Sequence, residues 1–516
     1  MKKKLPIGIS NLKKIITEGY VYVDKTRFVY ELVNTGVYYF LSRPRRFGKS
    51  LFVDTLKEAF EGNKELFKGL YIYDKWDWSV KYPVIHINFA EGIYKDRVQL
   101  ERWIVEQLIK NKERLDITCR DNEFIPACFS QLIEGSKKKY GRGAVILIDE
   151  YDKPILDNIT EPEIAKEMRE GLKNLYSVIK GQDANIKFVF LTGVSKFSKV
   201  SIFSGLNNLI DITIDERYSS ICGYTEDELT KAFKEHLKDK DINQIRHWYN
   251  GYSWTGKDKV YNPFSILNYL DKGQFKNYWF ESGTPTFLIE LLKQRNYYIP
   301  QIENIEAGET LIGSFDVDFI EPENLLFQSG YLTILDTYTV GSNIIYRLSY
   351  PNNEVKGSLT EYVLKHYSVN FVDVTRRKIQ LYELLQKLDI DGIKVIIQSH
   401  FASIPGEWYR KNKISKYEGY YSSIFYSYFA SLGLNVRPED TTSHGKIDMT
   451  VVMKHAVFIF EFKTIVRGKD KGKALKQIKE KNYAERYKGL NLPIFLIGID
   501  FDKTKRNVSS FKWERY

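Results

Sequence analysis

Ile447 to Met453 and Ala456 to Phe462 are two largely apolar runs broken by the polar pair Lys454-His455, a pattern that predicts adjacent strands joined by a tight turn. The two-residue period of a strand puts Glu461 and Lys463 on one face at the end of the second run, while Asp448 lies in the first. Upstream, S-K-Y-E-G-Y-Y-S-S-I-F-Y-S-Y-F-A (415–430) predicts an aromatic-rich helix with Glu418 in its first turn. Downstream, K-A-L-K-Q-I-K-E-K-N-Y-A (473–484) predicts a basic helix carrying Gln477. Near the other end, Y-Y-F-L (38–41) reads as a short buried strand running into a basic loop and then a helix over 51–60. The five apolar residues A-V-I-L-I (144–148) read as a buried parallel strand, and 187–193 as another. Between the halves, 224–237 predicts a helix starting near Thr225 with Glu228 closing a capping box. Residues 325–335 and 344–351 predict a short helix followed by a two-strand wing, and 376–388 a further helix. Strands alternating with helices make the chain α/β with a parallel N-terminal sheet.

At 516 residues the chain has room for about three domains, drawn here as 1–220, 221–375 and 376–516. Charge separates the last from the rest. Residues 376–516 hold 27 Lys and Arg against 15 Asp and Glu, a net of +12, whereas the whole chain is +11, so the first 375 residues sum to −1. A lysine-rich composition general to the source would spread the excess evenly. Its confinement to one end is an electrostatic footprint for a polyanion. The stretch Arg467 to Lys488 is especially basic and includes Tyr483 and Tyr487, residues suited to phosphate contact or base stacking. Cys119, Cys128 and Cys222 have neither metal-type nor disulfide-type spacing. With no apolar run of about 18 residues and a start (M-K-K-K-L-P-I-G-I-S) lacking a signal core, the expectation is a cytoplasmic protein without a membrane partner. Abundant Tyr, Phe and Lys suggest a low-GC bacterial genome.

Two constellations carry chemistry. In the first, S-R-P-R-R-F-G-K-S (42–50) joins a strand to a helix, the setting in which backbone N–H groups and a helix N-terminus cradle phosphate. Gly48 opens the turn, Lys49 would reach the β and γ phosphates of ATP, and the Ser50 hydroxyl would bind Mg²⁺. The pattern G-x-x-x-x-G-K-[ST] is incomplete, because Arg43 takes the first Gly position. About 100 residues on, Asp149 and Glu150 end the strand 144–148, as expected for a carboxylate that holds Mg²⁺ through water and a base that orients the hydrolytic water. The order and spacing of the two motifs favour an ATP site over a merely solvated strand end. Thr192, closing the strand 187–193, is placed to sense the γ-phosphate.

In the second constellation, Asp448, Glu461 and Lys463 offer hard oxygen ligands for Mg²⁺ (or Mn²⁺) and a cation to orient an attacking water, the needs of metal-assisted phosphodiester hydrolysis. An E-x-K strand end is commonly just solvated. Here the flanking Phe458, Phe460 and Phe462 mark a buried strand instead.

The order helix-Glu418, strand-Asp448, strand-Glu461-x-Lys463, helix-Gln477 resembles the PD-(D/E)xK nuclease superfamily, although Lys446-Ile447 replace the Pro of its name. That resemblance implies metal binding by Asp448 and Glu461, water activation by Lys463, and a site completed by Glu418 and Gln477. The N-terminal half resembles the bacterial AAA-ATPase-like family through S-R-P-R-R-F-G-K-S, Y-V-D-K-T (22–26), D-E-Y-D-K-P (149–154) and T-G-V-S-K-F-S (192–198). W-Y-N-G-Y (248–252), Y-N-P-F-S (261–265) and Y-W-F-E-S-G-T-P (278–285) extend the resemblance through the middle. It implies that Arg43 is a tolerated loop form, that Arg45 or Arg46 touches phosphate, and that a winged-helix-like middle follows the ATPase core. The expected architecture is thus a P-loop domain, a helical and wing-bearing middle, and a nuclease-like C-terminal domain. The expected activity is an ATP-dependent or ATP-gated nuclease acting on nucleic acid, DNA ahead of RNA. A signalling P-loop ATPase whose C-terminal domain binds nucleic acid or protein without cutting is the other reading. Oligomeric state is not legible.

Overall fold

The computed structural model describes the chain except residues 1, 120–123, 198–205, 207, 282–285, 296, 314–320, 368–370, 403–417, 466–470, 503 and 505–506, together with the side chains of 281, 286, 287, 293, 366, 367, 371, 372 and 418. Two compact units take the place of the three expected segments. The first comprises Met1–Phe287 and Glu306–Asn352, the second Leu288–Ile305 and Asn353–Tyr516. The sequence boundary at 376 followed the charge shift, but packing joins the second unit earlier. Glu303 accepts a hydrogen bond from the Tyr426 hydroxyl at 2.5 Å and pairs with Lys356, and Ser423 accepts from the Ile299 N–H.

The first unit is built on five parallel strands, β1 Tyr38–Ser42, β2 Val84–Asn88, β3 Ala144–Asp149, β4 Ile186–Gly193 and β5 Ile210–Asp211, in the order β2-β3-β4-β1-β5. Every residue of β1 and β3 is buried, which is why both read as unbroken apolar runs rather than as alternations. This order places β4 between β1 and β3, so the loops after all three strands meet at one sheet edge. Gly48, at φ 95°, makes the left-handed turn that starts the helix Lys49–Phe60 directly after β1.

Beyond the sheet, the helix Glu226–Ala232 opens with the expected capping box. The Glu228 N–H donates to the Thr225 hydroxyl and the Thr225 N–H to the Glu228 carboxylate. The same carboxylate pairs with the buried Lys25 at 2.6 Å, tying the Y-V-D-K-T segment to this helix. The helix Pro322–Ser329 is followed by the antiparallel pair β7 Thr333–Val340 and β8 Asn343–Ser349, the predicted wing, with β6 Ile305–Gly308 added on the far side of β8.

The second unit carries a mixed sheet in the order β13-β12-β11-β10-β9, made of β9 Asn435–Thr442, β10 Gly445–Val452, β11 Val457–Ile465, β12 Ile494–Asp502 and β13 Asn507–Arg515. β10 and β11 form the predicted hairpin, while β11 and β12 run parallel. Alternation along β11 sorts its side chains. Phe460 and Phe462 face Phe425 and Phe429 of the helix Glu418–Ser431. Val457 and Ile459 pack with Ile478, Tyr483 and Tyr487 on the opposite face, the face that also carries Glu461 and Lys463. Burying each of these rings is worth roughly 1.5–3 kcal/mol, so the strand that presents the charges is anchored from both sides.

Cys119, Cys128 and Cys222 are buried and unbridged. Among the described residues no helix is long and apolar enough to cross a membrane.

Candidate functional site

In the first unit, the loop after β1 and the residues following β3 border a cavity of about 450 Å³, lined by Arg45 to Phe52, Glu150, Asp152 and Lys153. Its far wall is more apolar, with Ile9, Val21 and Val23 from the start of the chain and Phe264 and Leu267 from the helix Pro263–Lys272. The volume lies in the range of small-ligand and cofactor pockets, about 300–1,000 Å³.

Lys49 is buried, and its ammonium donates to the backbone carbonyls of Arg43 (2.9 Å) and Pro44 (3.0 Å). Burial pulls its pKa down, opposed by Glu150, Asp149 and Asp152. Asp149 does not itself line the cavity; it is almost wholly buried and hydrogen-bonded to the side chain of Ser50, which does. Burial raises its pKa to about 6, a shift that the Ser50 bond opposes. The pair joins the two motifs recognised 100 residues apart, and a hydroxyl beside a desolvated carboxylate suits a hard divalent cation. Glu150 lines the cavity with a left-handed backbone, φ 53°, an uncommon conformation for a residue with a side chain. Arg45 and Arg46 lie at the mouth. Arg45 reaches Asp157 at 4.0 Å, and the Arg46 guanidinium lies 5.1 Å from the centre of the Phe264 ring.

Thr192 departs from its expected place. It is fully buried, does not line the cavity, and its hydroxyl has no hydrogen-bond partner among the described residues. Asp152 is a residue that sequence reading passed over. It lines the cavity, and its carboxylate accepts the Val194 and Ser195 N–H groups, the latter at 2.6 Å. Burial raises its pKa to about 6 as well. The repeated acidic residue in D-E-Y-D was the available signal.

In the second unit, the Asp448 carboxylate accepts the Phe462 N–H at 2.7 Å, and the Asp448 N–H reaches Glu461 at 3.5 Å, so each carboxylate touches the other's strand. Glu461 is fully buried. It receives Lys463 at 3.1 Å, and the Gln477 amide donates to the same oxygen. Burial, then the neighbouring Asp448 charge, push the Glu461 pKa well above the usual carboxylate range, with Lys463 opposing. Two carboxylates held together this way favour a bound cation. They also fit the pattern of Mg²⁺, which takes one or two carboxylates and keeps several waters. Among the described residues no three His, Cys, Asp or Glu side chains gather as a metal cluster. Glu418 begins its helix, but its side chain lies outside the described residues, as does all of Arg467.

The helix Lys473–Glu480 brings Gln477 to the site because β12 lets it approach. A Cβ on Gly498 would lie 2.1 Å from the Leu475 nitrogen, and Asp500 accepts the N–H groups of Gly472 and Ala474 at the helix start. Tyr483 and Tyr487 are not base-stacking groups. Each is about 2% exposed, with its hydroxyl bonded to the Lys446 carbonyl and the Asp440 carboxylate respectively. Their place in an amphipathic segment turned them inward.

A parallel sheet with a G-K-S loop and an acidic strand end, and a second sheet whose hairpin presents Asp, Glu-x-Lys and a helix-borne Gln, define a P-loop ATPase-like protein carrying a nuclease-type domain. Residues 6–203 match the family described as predicted AAA-ATPase, and residues 416–511 match the PD-(D/E)XK nuclease superfamily. The chain is 52% identical over 512 residues to "Uncharacterized protein in vnfD 5'region" of Azotobacter chroococcum mcd 1, across 99% of this chain and 98% of that one. It belongs to the AAA-ATPase-like family with a C-terminal domain of the PD-(D/E)XK nuclease superfamily.

Proposed function

We propose that this protein is an ATP-gated, Mg²⁺-dependent nuclease acting on DNA. The observation that carries the reading is the intact set Asp448, Glu461, Lys463 and Gln477, gathered on two strands and one helix. A domain kept only for docking would be free to lose any one of these side chains. In this reading Asp448 and Glu461 hold the cation, which when bound supplies Lewis-acid polarisation of the phosphate and a more acidic water. Lys463, partly exposed, orients the attacking water, and Gln477 fixes the Glu461 carboxylate. In the first unit Gly48 and Lys49 hold the phosphates of ATP. Ser50 and Asp149 hold its Mg²⁺, and Glu150 orients water for hydrolysis. DNA as substrate rests on the basic C-terminal excess and on the superfamily.

Purified protein would be incubated with Mg²⁺ or Mn²⁺ and a panel of single- and double-stranded DNA and RNA, with and without ATP. Metal-dependent cleavage of DNA that changes with ATP is the expected result. Cleavage indifferent to ATP removes the gating. No cleavage under any condition, with ATP still hydrolysed, leaves a regulatory ATPase.

A further inference from the structure

Arg43 stands where P-loops carry their first glycine, and it is buried completely. Its backbone and both terminal guanidinium nitrogens are engaged, while Nε has no hydrogen-bond partner among the described residues. Its N–H donates to the Gly193 carbonyl at the end of β4 (3.1 Å), and its carbonyl receives the Lys49 ammonium. One guanidinium nitrogen donates to the carbonyls of Ser42 (2.9 Å) and Thr213 (2.8 Å), the other to that of Tyr218 (3.2 Å). The guanidinium carbon lies 4.0 Å from the centre of the Trp254 ring. Phe47, later in the same loop, packs edge-on against Trp254 and Tyr252, with ring centres 5.4 and 4.7 Å away. Burial lowers the Arg43 pKa only to about 10, so the group stays charged at neutral pH.

We propose that Arg43 is a positioning residue for nucleotide: it braces the phosphate loop against Thr213, Tyr218 and Trp254, doing with a side chain what a glycine turn does by conformation. The proposal rests on the nucleotide-site reading given above. It runs against the sequence pattern. Restoring glycine would complete G-x-x-x-x-G-K-S, yet it would strip a donor from three carbonyls and open a hole against Trp254. The carbonyls of Arg43 and Pro44, which hold Lys49, would lose their fixed place. A lysine there keeps the charge but lacks the planar fork that serves several carbonyls at once.

The test is calorimetric titration of Mg²⁺-ATP into the full chain and into Arg43→Gly, Arg43→Lys and Lys49→Ala, each well below its measured unfolding temperature. Arg43→Gly should bind ATP at least about tenfold more weakly than the parent, and Arg43→Lys should fall between them. Added guanidinium ion should restore affinity to Arg43→Gly but not to Lys49→Ala, a response that general destabilisation would not give. Parent-like or tighter binding by Arg43→Gly overturns the proposal; if that variant does not fold, parent-like binding by Arg43→Lys does so. A parent that binds no ATP overturns the nucleotide reading and the brace together.

Discussion

Lys463 sets its ammonium 3.1 Å from Glu461, and the two differ sharply in exposure: 27% of the Lys463 side chain is accessible and none of the Glu461 side chain. One β-strand thus offers a buried ligand and, two residues on, a cation in contact with solvent. Lys463→Ala and Asp448→Ala should each lower cleavage by about 10²-fold or more, in the range typical for losing a group that assists proton transfer or charge stabilisation. ATP affinity should stay at the parent value in both. Gel-based cleavage rates beside calorimetric ATP titration check this, and parent-like cutting by both variants removes the nuclease reading.

Without metal, the neighbouring carboxylates of Asp448 and Glu461 should weaken the fold. Burial and the neighbouring Asp448 charge push the Glu461 pKa up to about 7, against 4.5 for an ordinary glutamate. The folded state therefore holds a proton that the unfolded state gives up. Its contribution is full below pH 4.5 and is lost as pH rises through about 7. In EDTA the unfolding temperature should fall as pH rises from 5 to 8. Asp448→Asn should flatten that fall and stabilise the metal-free protein near pH 8 by on the order of a few degrees. Mg²⁺ should stabilise the parent and not the variant. An Asp448→Asn curve that parallels the parent would show that the carboxylates do not repel each other.

Where local pattern decides the structure, the sequence was readable. The β10–β11 hairpin, the position of Glu461 beside Lys463, and the Thr225–Glu228 cap all follow from period and spacing. The meeting of the loop 43–50 with Asp149 was expected from motif order and spacing, and it occurs because β1 and β3 end at the same sheet edge. What escaped were long-range choices. Nothing local says that Arg43 turns inward onto Trp254, or that Glu303 joins the second unit through Tyr426 and Lys356. Tyr483 and Tyr487 lie in a basic stretch whose charges face water, and only the packing against Ile459 and Leu496 shows which way the rings go.

Lys49→Ala and Glu150→Gln should separate binding from turnover. Removing the ammonium takes away the cation reaching the terminal phosphates, so ATP affinity should drop steeply. The Gln variant keeps shape without charge, so ATP should bind and persist. Affinity for Mg²⁺-ATP should also fall as pH drops through about 6, because Asp149 then holds a proton that a cation must displace. Asp149→Asn should remove that pH dependence. Calorimetry at several pH values and phosphate-release assays measure these effects, and unchanged affinity in Lys49→Ala would discard the P-loop reading.

Gly498→Ala should disable the nuclease site at a distance. The new methyl would meet the Leu475 backbone, not a flexible side-chain tip, so the helix Lys473–Glu480 must shift and take Gln477 away from Glu461. Cleavage should fall by at least about tenfold, with an unfolding loss of roughly 1–3 kcal/mol as for other overpacked cores. Asp500→Asn, which weakens the hold on the start of the same helix, should act in the same direction but less. Parent-like cleavage by Gly498→Ala would mean that Gln477 is not needed where it stands.

Lys473 and Lys481 lie one helical turn before and after Gln477, so phosphates on either side of a bound cleavage point would meet them. Lys476 and Lys479 lie on other faces of the same helix, where they pair with Glu480 at 3.6 Å and Glu514 at 3.0 Å. Binding of a fluorescent oligonucleotide to the full chain should weaken with salt through counterion release. Replacing both Lys473 and Lys481 with Gln should flatten the slope of log K against log salt by about 1.4 to 1.8, since each phosphate contact adds about 0.7 on single strands and 0.9 on duplex. The Lys476→Gln, Lys479→Gln pair should change it less, because those side chains stand roughly 100° and 160° around the helix from Gln477. Fluorescence anisotropy at several salt concentrations gives the slopes. Equal changes from the two pairs would assign the basic excess to a diffuse field instead of contacts flanking the site, and a flat response in the parent would point the C-terminal unit toward a protein partner.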